Sequence, residues 1–314
     1  MTDSFRNIRQ SICFAPMEGI TTKTFRRVFR SHFSGVDRYY TPFLVANHTH
    51  HFKQRELREL EPFEDLLIPQ VLTSDKDDFV WAGRLICSKG YEEINLNLGC
   101  PYPTVFTKGK GSGMLRDPDA LDRFLDSVFS EQDMPAVSVK TRIGVSDPNE
   151  YQNLLRVFIR YPFSEIIIHP RIREEFYTGR PHTEIFEKML SELKCPVGYN
   201  GDIKSASDAE RIISGFPTVS SLMIGRGLLA DPALARKIRG GNGADLSELV
   251  SFLKDLAESY GEILYSEKDV LFKMKELMYY LGQNTAGSDR EKADVKHSKN
   301  LEDFFDSVYR MLSC

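Results

Sequence analysis

Polar side chains that could do chemistry follow a series of short apolar runs along the 314-residue sequence, each near the end of its run. They include amides, an imidazole, a thiol, cations and a carboxylate. These residues are Gln70, Asn97, Cys100, Lys140, Arg142, His169, Arg171, Asn200, Asp202 and Arg226. A lone polar residue is often a satisfied part of a core, but the same placement after several runs indicates one shared site.

Two glycine-containing tripeptides predict a phosphate site within this set. They lie at 200–202 (NGD) and 225–227 (GRG). Gly201 and Gly225 would let backbone N–H groups approach an anion closely, and Arg226 adds a planar positive group. Lys140 and His169 could then donate hydrogen bonds to the flat, electron-rich part of a bound cofactor.

The segment 97–115 (NLGCPYPTVFTKGKGSGML) is a loop rich in glycine and proline, with Cys100 at its root. A thiol there could act as a nucleophile, although no base or charged helper is adjacent in sequence. It could instead act as a general acid that delivers a proton to carbon. A structural thiol is the third alternative, and the turn-forming neighbours favour a chemical role over it.

The histidines at positions 48, 50 and 51 form a second cluster of possible ligands. Their spacing fits neither a helical pair four residues apart nor a zinc site completed by a carboxylate. We therefore expect a solvated loop here and no metal site.

The segment 23–30 (KTFRRVFR) alternates basic and aromatic residues. One interpretation is an amphipathic helix whose apolar face lies in the core. The other is a positive face that contacts RNA phosphates, formed by Lys23, Arg26, Arg27, Arg30, Lys108 and Lys110. The sequence favours the two interpretations about equally.

Eight apolar runs alternate with segments of helical periodicity, which is typical of parallel β/α folds. The predicted strands are 12–15, 38–43, 66–72, 93–98, 136–141, 165–169, 196–199 and 221–224. Helices are predicted at 77–89, 117–129 and 205–214. Eight strands in roughly 240 residues predict an eightfold (β/α) TIM barrel with the polar residues at its C-terminal rim. A doubly wound sheet is the alternative, but the first strand leads into PMEG rather than a glycine-rich turn.

The pattern changes at 240–243 (GGNG), a composition typical of a linker. Amphipathic segments follow at 246–264, 268–281 and 301–312, without a strand pattern. We therefore predict two domains, a catalytic barrel at residues 1–240 and a small all-helical domain at residues 241–314.

Charge and composition limit the classes of partner. The formal net charge is −4, and the segment from Gly241 onward has nine Lys and Arg against fourteen Asp and Glu. Nucleic-acid binding would therefore depend on a local positive cluster. No run approaches the roughly 20 apolar residues of a membrane helix, and the N-terminus is polar. We expect a cytoplasmic protein, with a monomer favoured, and no disulfide framework, because the five cysteines form no Cys-x-x-Cys pair.

Seven motifs occur together in one order: APMEG at 15–19, PQ at 69–70, NLGCP at 97–101, SVKTR at 138–142, HPR at 169–171, NGD at 200–202 and MIGRG at 223–227. With these motifs the chain resembles the tRNA-dihydrouridine synthases along essentially its whole length. The resemblance implies an FMN-binding barrel, a helical domain that helps to hold tRNA, and NADPH as the reductant of the flavin. It also implies the reaction, in which a uridine of tRNA receives hydride at carbon 6 and a proton at carbon 5.

The same resemblance implies a role for each site residue. Cys100 is implied as the proton donor, with Asn97 and Arg142 facing the uracil. The residues implied around the flavin are Pro16, Met17, Glu18, Gln70, Lys140, His169, Asn200, Gly201, Asp202, Gly225 and Arg226. The sequence departs from the family at Thr21, Thr104, Pro170 and Glu276, and these departures bear on which RNA is bound rather than on the flavin or the acid.

Two other functions fit parts of the pattern. A flavin barrel could act on a free pyrimidine such as dihydroorotate, but a free base needs no second domain. A degenerate member could bind RNA without catalysis, but the presence of Cys100, Lys140 and His169 argues against it. The sequence does not identify which uridine is modified.

Overall fold

A computed structural model describes residues 8–61 and 67–313 of the chain. In this part, ten strands form one parallel sheet in the order β3-β5-β6-β7-β8-β9-β10-β1-β2-β4. The strands are β1 (Ser11–Phe14), β2 (Arg38–Tyr40), β3 (Leu44–Val45), β4 (Leu67–Ile68), β5 (Gln70–Leu72), β6 (Glu93–Leu98), β7 (Ala136–Gly144), β8 (Ile166–Ile172), β9 (Val197–Asn200) and β10 (Ser221–Ile224).

The sheet closes on itself because the second and third predicted strands are each split in two. β2 pairs with β4 and β3 pairs with β5, so the two interrupted runs lie side by side. Pro42 and Pro69 lie in the interruptions, where a residue without an N–H cannot donate to the ladder. Eight strand runs therefore form the ring, which confirms the predicted TIM barrel; residue 66 of the third run lies outside the described residues.

Helices surround the barrel and then continue beyond its last strand. The described helices are α1 (Lys23–His32), α2 (Gln54–Glu59), α3 (Lys76–Ser88), α4 (Pro103–Phe106), α5 (Pro118–Phe129), α6 (Tyr151–Phe158), α7 (Thr183–Glu192), α8 (Ala206–Gly215), α9 (Arg226–Ala230), α10 (Leu234–Ile238), α11 (Leu246–Gly261), α12 (Glu267–Leu281), α13 (Asp289–His297) and α14 (Leu301–Leu312). Helices α5 and α8 have side-chain N-caps that accept from backbone N–H groups: Asp117 accepts from Ala120 N–H at the start of α5, and Ser205 accepts from Asp208 N–H at the start of α8.

Strand alternation creates two separate apolar clusters. In β1, Ile12 and Phe14 join the large core between barrel and helices, whereas Cys13 belongs to a small cluster that also includes Tyr40 and Met223. Successive strand side chains point to opposite faces, so the small cluster is the barrel interior. The same alternation places polar residues of β6, β7 and β8 inside the barrel.

The C-terminal helices pack against the barrel through α11. Its Phe252 contacts the rings of Phe25, Phe29 and Phe33 on α1 and its following turn, with centroid distances of 6.1, 6.2 and 5.1 Å. Such edge-to-face contacts between buried rings stabilise the junction. None of the helices in residues 8–61 and 67–313 combines the length and the apolar character of a membrane-spanning segment.

Candidate active site

A cavity of about 240 Å³ opens at the carboxyl ends of the strands, and it is lined by all the predicted site residues except Arg171, which contacts His169 and Asp202 from behind the lining. These residues are Pro16, Met17, Glu18, Gln70, Asn97, Cys100, Lys140, Arg142, His169, Asn200, Gly201, Asp202, Gly225 and Arg226. They come from seven parts of the barrel and meet because parallel strands end at the same face. The structure thus brings the predicted set together, while the role of each member stays a prediction.

A ladder of amide side chains connects the barrel interior to the cavity. Asn95 Nδ2 donates to Ser138 Oγ at 2.9 Å, and Gln70 Nε2 donates to Asn95 Oδ1 at 2.8 Å. Asn97 Nδ2 then donates to Gln70 Oε1 at 2.7 Å. Since these side chains are buried and each bond has a defined donor, the ladder fixes how Gln70 and Asn97 are oriented.

Asn97 also holds the root of the cysteine loop. Its Oδ1 accepts from the backbone N–H groups of Gly99 at 3.1 Å and Cys100 at 3.0 Å. The hydroxyl of Ser112, in the 3-10 turn Gly111–Arg116, donates to the Cys100 carbonyl at 2.7 Å. The Cys100 backbone is therefore fixed from both sides of the loop.

The thiol of Cys100 is held in its neutral form. Burial raises its pKa above the ordinary value, against the lowering effects of the Tyr102 backbone, Lys140 and Arg142. A thiol with a raised pKa is a poor nucleophile at neutral pH but keeps a proton to give. These conditions favour the general-acid alternative over the nucleophile.

Lys140 lies inside the cavity without an anionic partner. Its side-chain ammonium makes no hydrogen bond or ion pair with the other described residues. Burial, and then the neighbouring Arg142, lower its pKa to about 7. An unpaired buried ammonium is costly, so this position favours a ligand that offers hydrogen-bond acceptors or negative charge.

His169 is neutral, and its tautomer follows from its neighbour. Burial and then Arg142, Lys140, Arg171 and Arg226 lower its pKa well below the ordinary value. Arg171 Nη1 lies 3.1 Å from His169 Nε2 and can only donate, so Nε2 accepts and the ring proton lies on Nδ1. His169 therefore offers one neutral N–H donor.

Arg142 fastens two rim loops to each other. Its guanidinium donates to the carbonyls of Gly99 at 3.0 Å, Ile172 at 2.9 Å and Phe176 at 2.8 Å. The side chain is buried, and burial lowers its pKa to about 10. Besides lining the cavity, Arg142 thus positions the loop after β8.

The two glycine loops after β9 and β10 lie beside each other. Asp202 forms ion pairs with Arg171 at 2.5 Å and with Arg226 at 3.2 Å. Asp202 has a positive φ of 46°, a conformation that costs energy in a non-glycine residue and is common at binding sites. A Cβ atom on Gly225 would lie 3.2 Å from Met17 Sδ, so the backbone there passes close to the first-strand loop.

Three tyrosines and a glutamate at the cavity mouth were not predicted. Tyr177 stacks on His169 with a centroid distance of 6.2 Å and lies 4.6 Å from the Arg226 guanidinium carbon. Tyr102, Glu276 and Tyr280 also line the cavity. Glu276 and Tyr280 are on α12, so the C-terminal helices complete the site. The sequence around Glu276 and Tyr280 does not indicate that they belong to the site, because only tertiary packing places α12 at the rim.

The predicted positive face on α1 is wrong at Arg26. That side chain is 1% exposed, and its Nη1 donates to the Thr21 carbonyl and to Glu59 at 2.7 and 2.8 Å. Lys23 pairs with Glu61 at 2.5 Å. The face of α1 that bears Arg26 packs against the rest of the protein. The interpretation of α1 as an amphipathic helix therefore explains this face, and the RNA-contact interpretation does not.

The histidine segment is partly used in packing. The His50 ring stacks on Trp81 at a centroid distance of 5.3 Å and an interplanar angle of 5°. Across residues 8–61 and 67–313, no group of three His, Cys, Asp or Glu side chains is arranged to hold a metal ion.

Fold and site together define a TIM-barrel enzyme with a cationic cavity at its C-terminal face, closed on one side by C-terminal helices. A family model described as "Dihydrouridine synthase (Dus)" matches residues 13–306. The chain belongs to the dihydrouridine synthase family, and it is accordingly a flavin-dependent oxidoreductase.

Similar proteins cover most of the chain. It is 28% identical over 234 residues to "tRNA-dihydrouridine synthase B" of Pasteurella multocida, covering 73% of this chain and 69% of the relative. It is 25% identical to the Vibrio vulnificus protein of the same name, covering 96% and 97%. Among solved structures, the old yellow enzyme homologue from Zymomonas mobilis has a TM-score of 0.55 at 9% identity, covering 77% of this chain and 92% of that chain. The last likeness concerns the fold alone.

Proposed function

We propose that this protein reduces a uridine of transfer RNA to 5,6-dihydrouridine, with FMN as its flavin and Cys100 as proton donor. Support for the substrate comes from family membership and from relatives that are named as tRNA-dihydrouridine synthases. The observation that carries the chemistry is one cavity in which a neutral thiol lies near the cations Lys140 and Arg142.

The residues present fit a flavin mononucleotide. The ammonium of Lys140, which has no hydrogen-bond partner among the described residues, and the Nδ1–H of His169 suit the acceptor atoms of the ring. The loops after the seventh and eighth barrel strands, with Arg226, suit a terminal phosphate. Gln70, fixed by the amide ladder, supplies a further amide to the ring. When bound, the flavin supplies the hydride-transfer chemistry that this chain's side chains lack.

Cys100 completes the reduction by delivering its thiol proton to carbon 5 of the uracil, while carbon 6 receives the hydride. The new C–H bond at carbon 5 forms as the S–H bond breaks, and the resulting thiolate regains a proton from solvent. Asn97 holds the Cys100 backbone in place, and Lys140 and Arg142 stabilise the negative charge left on sulfur. Asn97 and Arg142 face the uracil. NADPH serves as the source of electrons.

The two predicted domains have different roles in the proposed function. In this proposal the barrel domain, predicted at residues 1–240, carries out the reduction, and the helical domain, predicted at residues 241–314, helps to hold the tRNA. Glu276 and Tyr280 of α12 support this role because they line the cavity mouth. Lys273 fixes α12 there by donating to the Gly19 carbonyl at 2.8 Å. A free pyrimidine would have no use for this helix.

The proposed function predicts that the purified protein, given NADPH and an unmodified tRNA transcript, converts uridine to dihydrouridine at a defined position. Mass analysis of nuclease fragments would detect the gain of two hydrogens and locate it. Free uracil and orotate serve as competing substrates in parallel reactions. Conversion of the free base without conversion of the tRNA would overturn the proposal in favour of a free-pyrimidine enzyme.

The cofactor assignment predicts that the protein copurifies with about one FMN per chain, and that Arg226→Ala weakens FMN retention. Losing one charge-assisted phosphate contact typically costs about 1.5–3 kcal/mol, or roughly 10- to 150-fold in affinity. Arg211→Ala, at an arginine that is exposed on α8, is the matched control. Fluorescence titration of the deflavinated protein measures the dissociation constants. Tight binding of FAD instead, or equal FMN affinity in both variants, would contradict the assignment.

A further inference from the structure

Helix α12 carries two large aromatic side chains that the fold does not bury. Phe272 is 67% exposed and Tyr279 is 71% exposed. They are seven residues apart, which is two helical turns, so they lie on the same side of the helix. The opposite side of α12 carries Met274, Met278 and Leu281, all buried in the core.

This aromatic stripe, Phe272 and Tyr279, is continuous with the active-site cavity. The ring of Tyr279 contacts that of Tyr280 at a centroid distance of 5.2 Å, and Tyr280 lines the cavity. Glu276, which also lines the cavity, lies between Phe272 and Tyr279 along the helix. The bond from Lys273 to the Gly19 carbonyl fixes this side of α12 against the barrel mouth.

The charge of the surrounding segment bears on what this surface could bind. The chain from Gly241 onward has an excess of acidic residues, and Lys275 in the same helix donates to the Ser298 carbonyl. Phosphates are therefore poorly attracted here. Unpaired bases, by contrast, stack on aromatic rings without needing local positive charge.

We propose that Phe272 and Tyr279 are a stacking surface for unpaired bases next to the uridine that enters the cavity. This inference rests on the proposed function, since it takes the substrate to be a uridine within RNA. A base in a duplex is already stacked and cannot use the two rings, so the surface selects an unstacked loop.

The test uses the full chain with bound flavin and the variants Phe272→Ala and Tyr279→Ala. Each should weaken binding of an unmodified tRNA transcript by about tenfold, with an unchanged salt dependence, because no charge is removed. Binding of a blunt RNA duplex should not change. Tyr309→Ala is the matched control, because Tyr309 is 57% exposed on α14 and lies outside the cavity. The rate of flavin reduction by NADPH should be equal in all variants.

Two further variants separate stacking from apolar contact. Phe272→Tyr should retain the affinity for tRNA, whereas Phe272→Leu should lose it as the alanine variant does. Full affinity in Phe272→Leu would overturn the inference and indicate an apolar docking surface for a protein. Wild-type affinity in both alanine variants would overturn it as well.

The two proposals fail in different ways. If the wild type forms dihydrouridine but the alanine variants bind tRNA normally, the stacking surface is wrong and the proposed function stands. If the wild type binds tRNA through these rings but forms no dihydrouridine, the enzymatic proposal fails alone. A wild type that binds no tRNA overturns both.

Discussion

Cys100→Ala should slow the reoxidation of reduced enzyme by tRNA by about a hundred- to ten-thousandfold, the range typical of a lost general acid. Reduction by NADPH should keep its rate, because that half-reaction needs no proton on the uracil. The fold should also survive. Alanine keeps the Cβ atom of Cys100, and only the backbone of that residue is used in its hydrogen bonds: its N–H donates to Asn97 Oδ1 and its carbonyl accepts from Ser112 Oγ.

Stopped-flow absorbance of the bound flavin follows both half-reactions separately. Cys87→Ala, at an exposed cysteine on α3, is the matched control and should match the wild type in both. Equal slowing of both halves would show that Cys100 is structural. Normal reoxidation by tRNA would show that the proton comes from another group.

The barrel was predictable because its strands carry a strong local pattern. In β6 the sequence EINLNL alternates, so Ile94, Leu96 and Leu98 face the helices and Asn95 and Asn97 face the interior. Polar residues at interior strand positions are rare in a barrel core, which is why the rim residues stand out in sequence.

Other features depend on packing that no local pattern encodes. An arginine in an amphipathic helix is normally expected at the surface. Arg26 is nevertheless buried, because its guanidinium donates to Glu59 and to the Thr21 carbonyl. Helix α13 was missed because Val295 is its one buried residue, which leaves no apolar periodicity to detect. Tyr280 joins the cavity through the position of α12, and that position depends on contacts far away in sequence.

Electrostatics within the cavity were only partly predictable. Lys140 and Cys100 line the same cavity, where a lysine cation acts to lower the pKa of the thiol. Burial nevertheless raises the pKa of Cys100 and lowers that of Lys140, so desolvation outweighs their mutual attraction. Sequence shows which charges are present, but the degree of burial depends on the completed rim.

Lys140→Met should stabilise the flavin-free protein while removing tight flavin binding. Burial lowers the pKa of Lys140 from 10.5 to about 7, so a charged lysine destabilises the folded state. At 1.36 kcal/mol per pKa unit, and allowing for water in the cavity, removal of the charge should add about 2–4 kcal/mol to the free energy of unfolding at pH 7. Methionine retains the apolar stem but donates no hydrogen bond, so the same change should weaken flavin binding by at least about tenfold.

The stabilisation by Lys140→Met should depend on pH with a definite sign. Between about pH 7 and 10.5 the unfolded lysine binds a proton that the folded one does not, so wild-type stability from this group rises with pH. The advantage of the methionine variant should therefore be constant below about pH 7 and shrink by up to about 1.4 kcal/mol per pH unit above it. Urea unfolding of the flavin-free proteins at several pH values measures this, with Lys194→Met, at an exposed lysine, as control. A methionine variant that is less stable than wild type at pH 7, or an advantage that grows above pH 7, would show that Lys140 is not a destabilising cation held for a ligand.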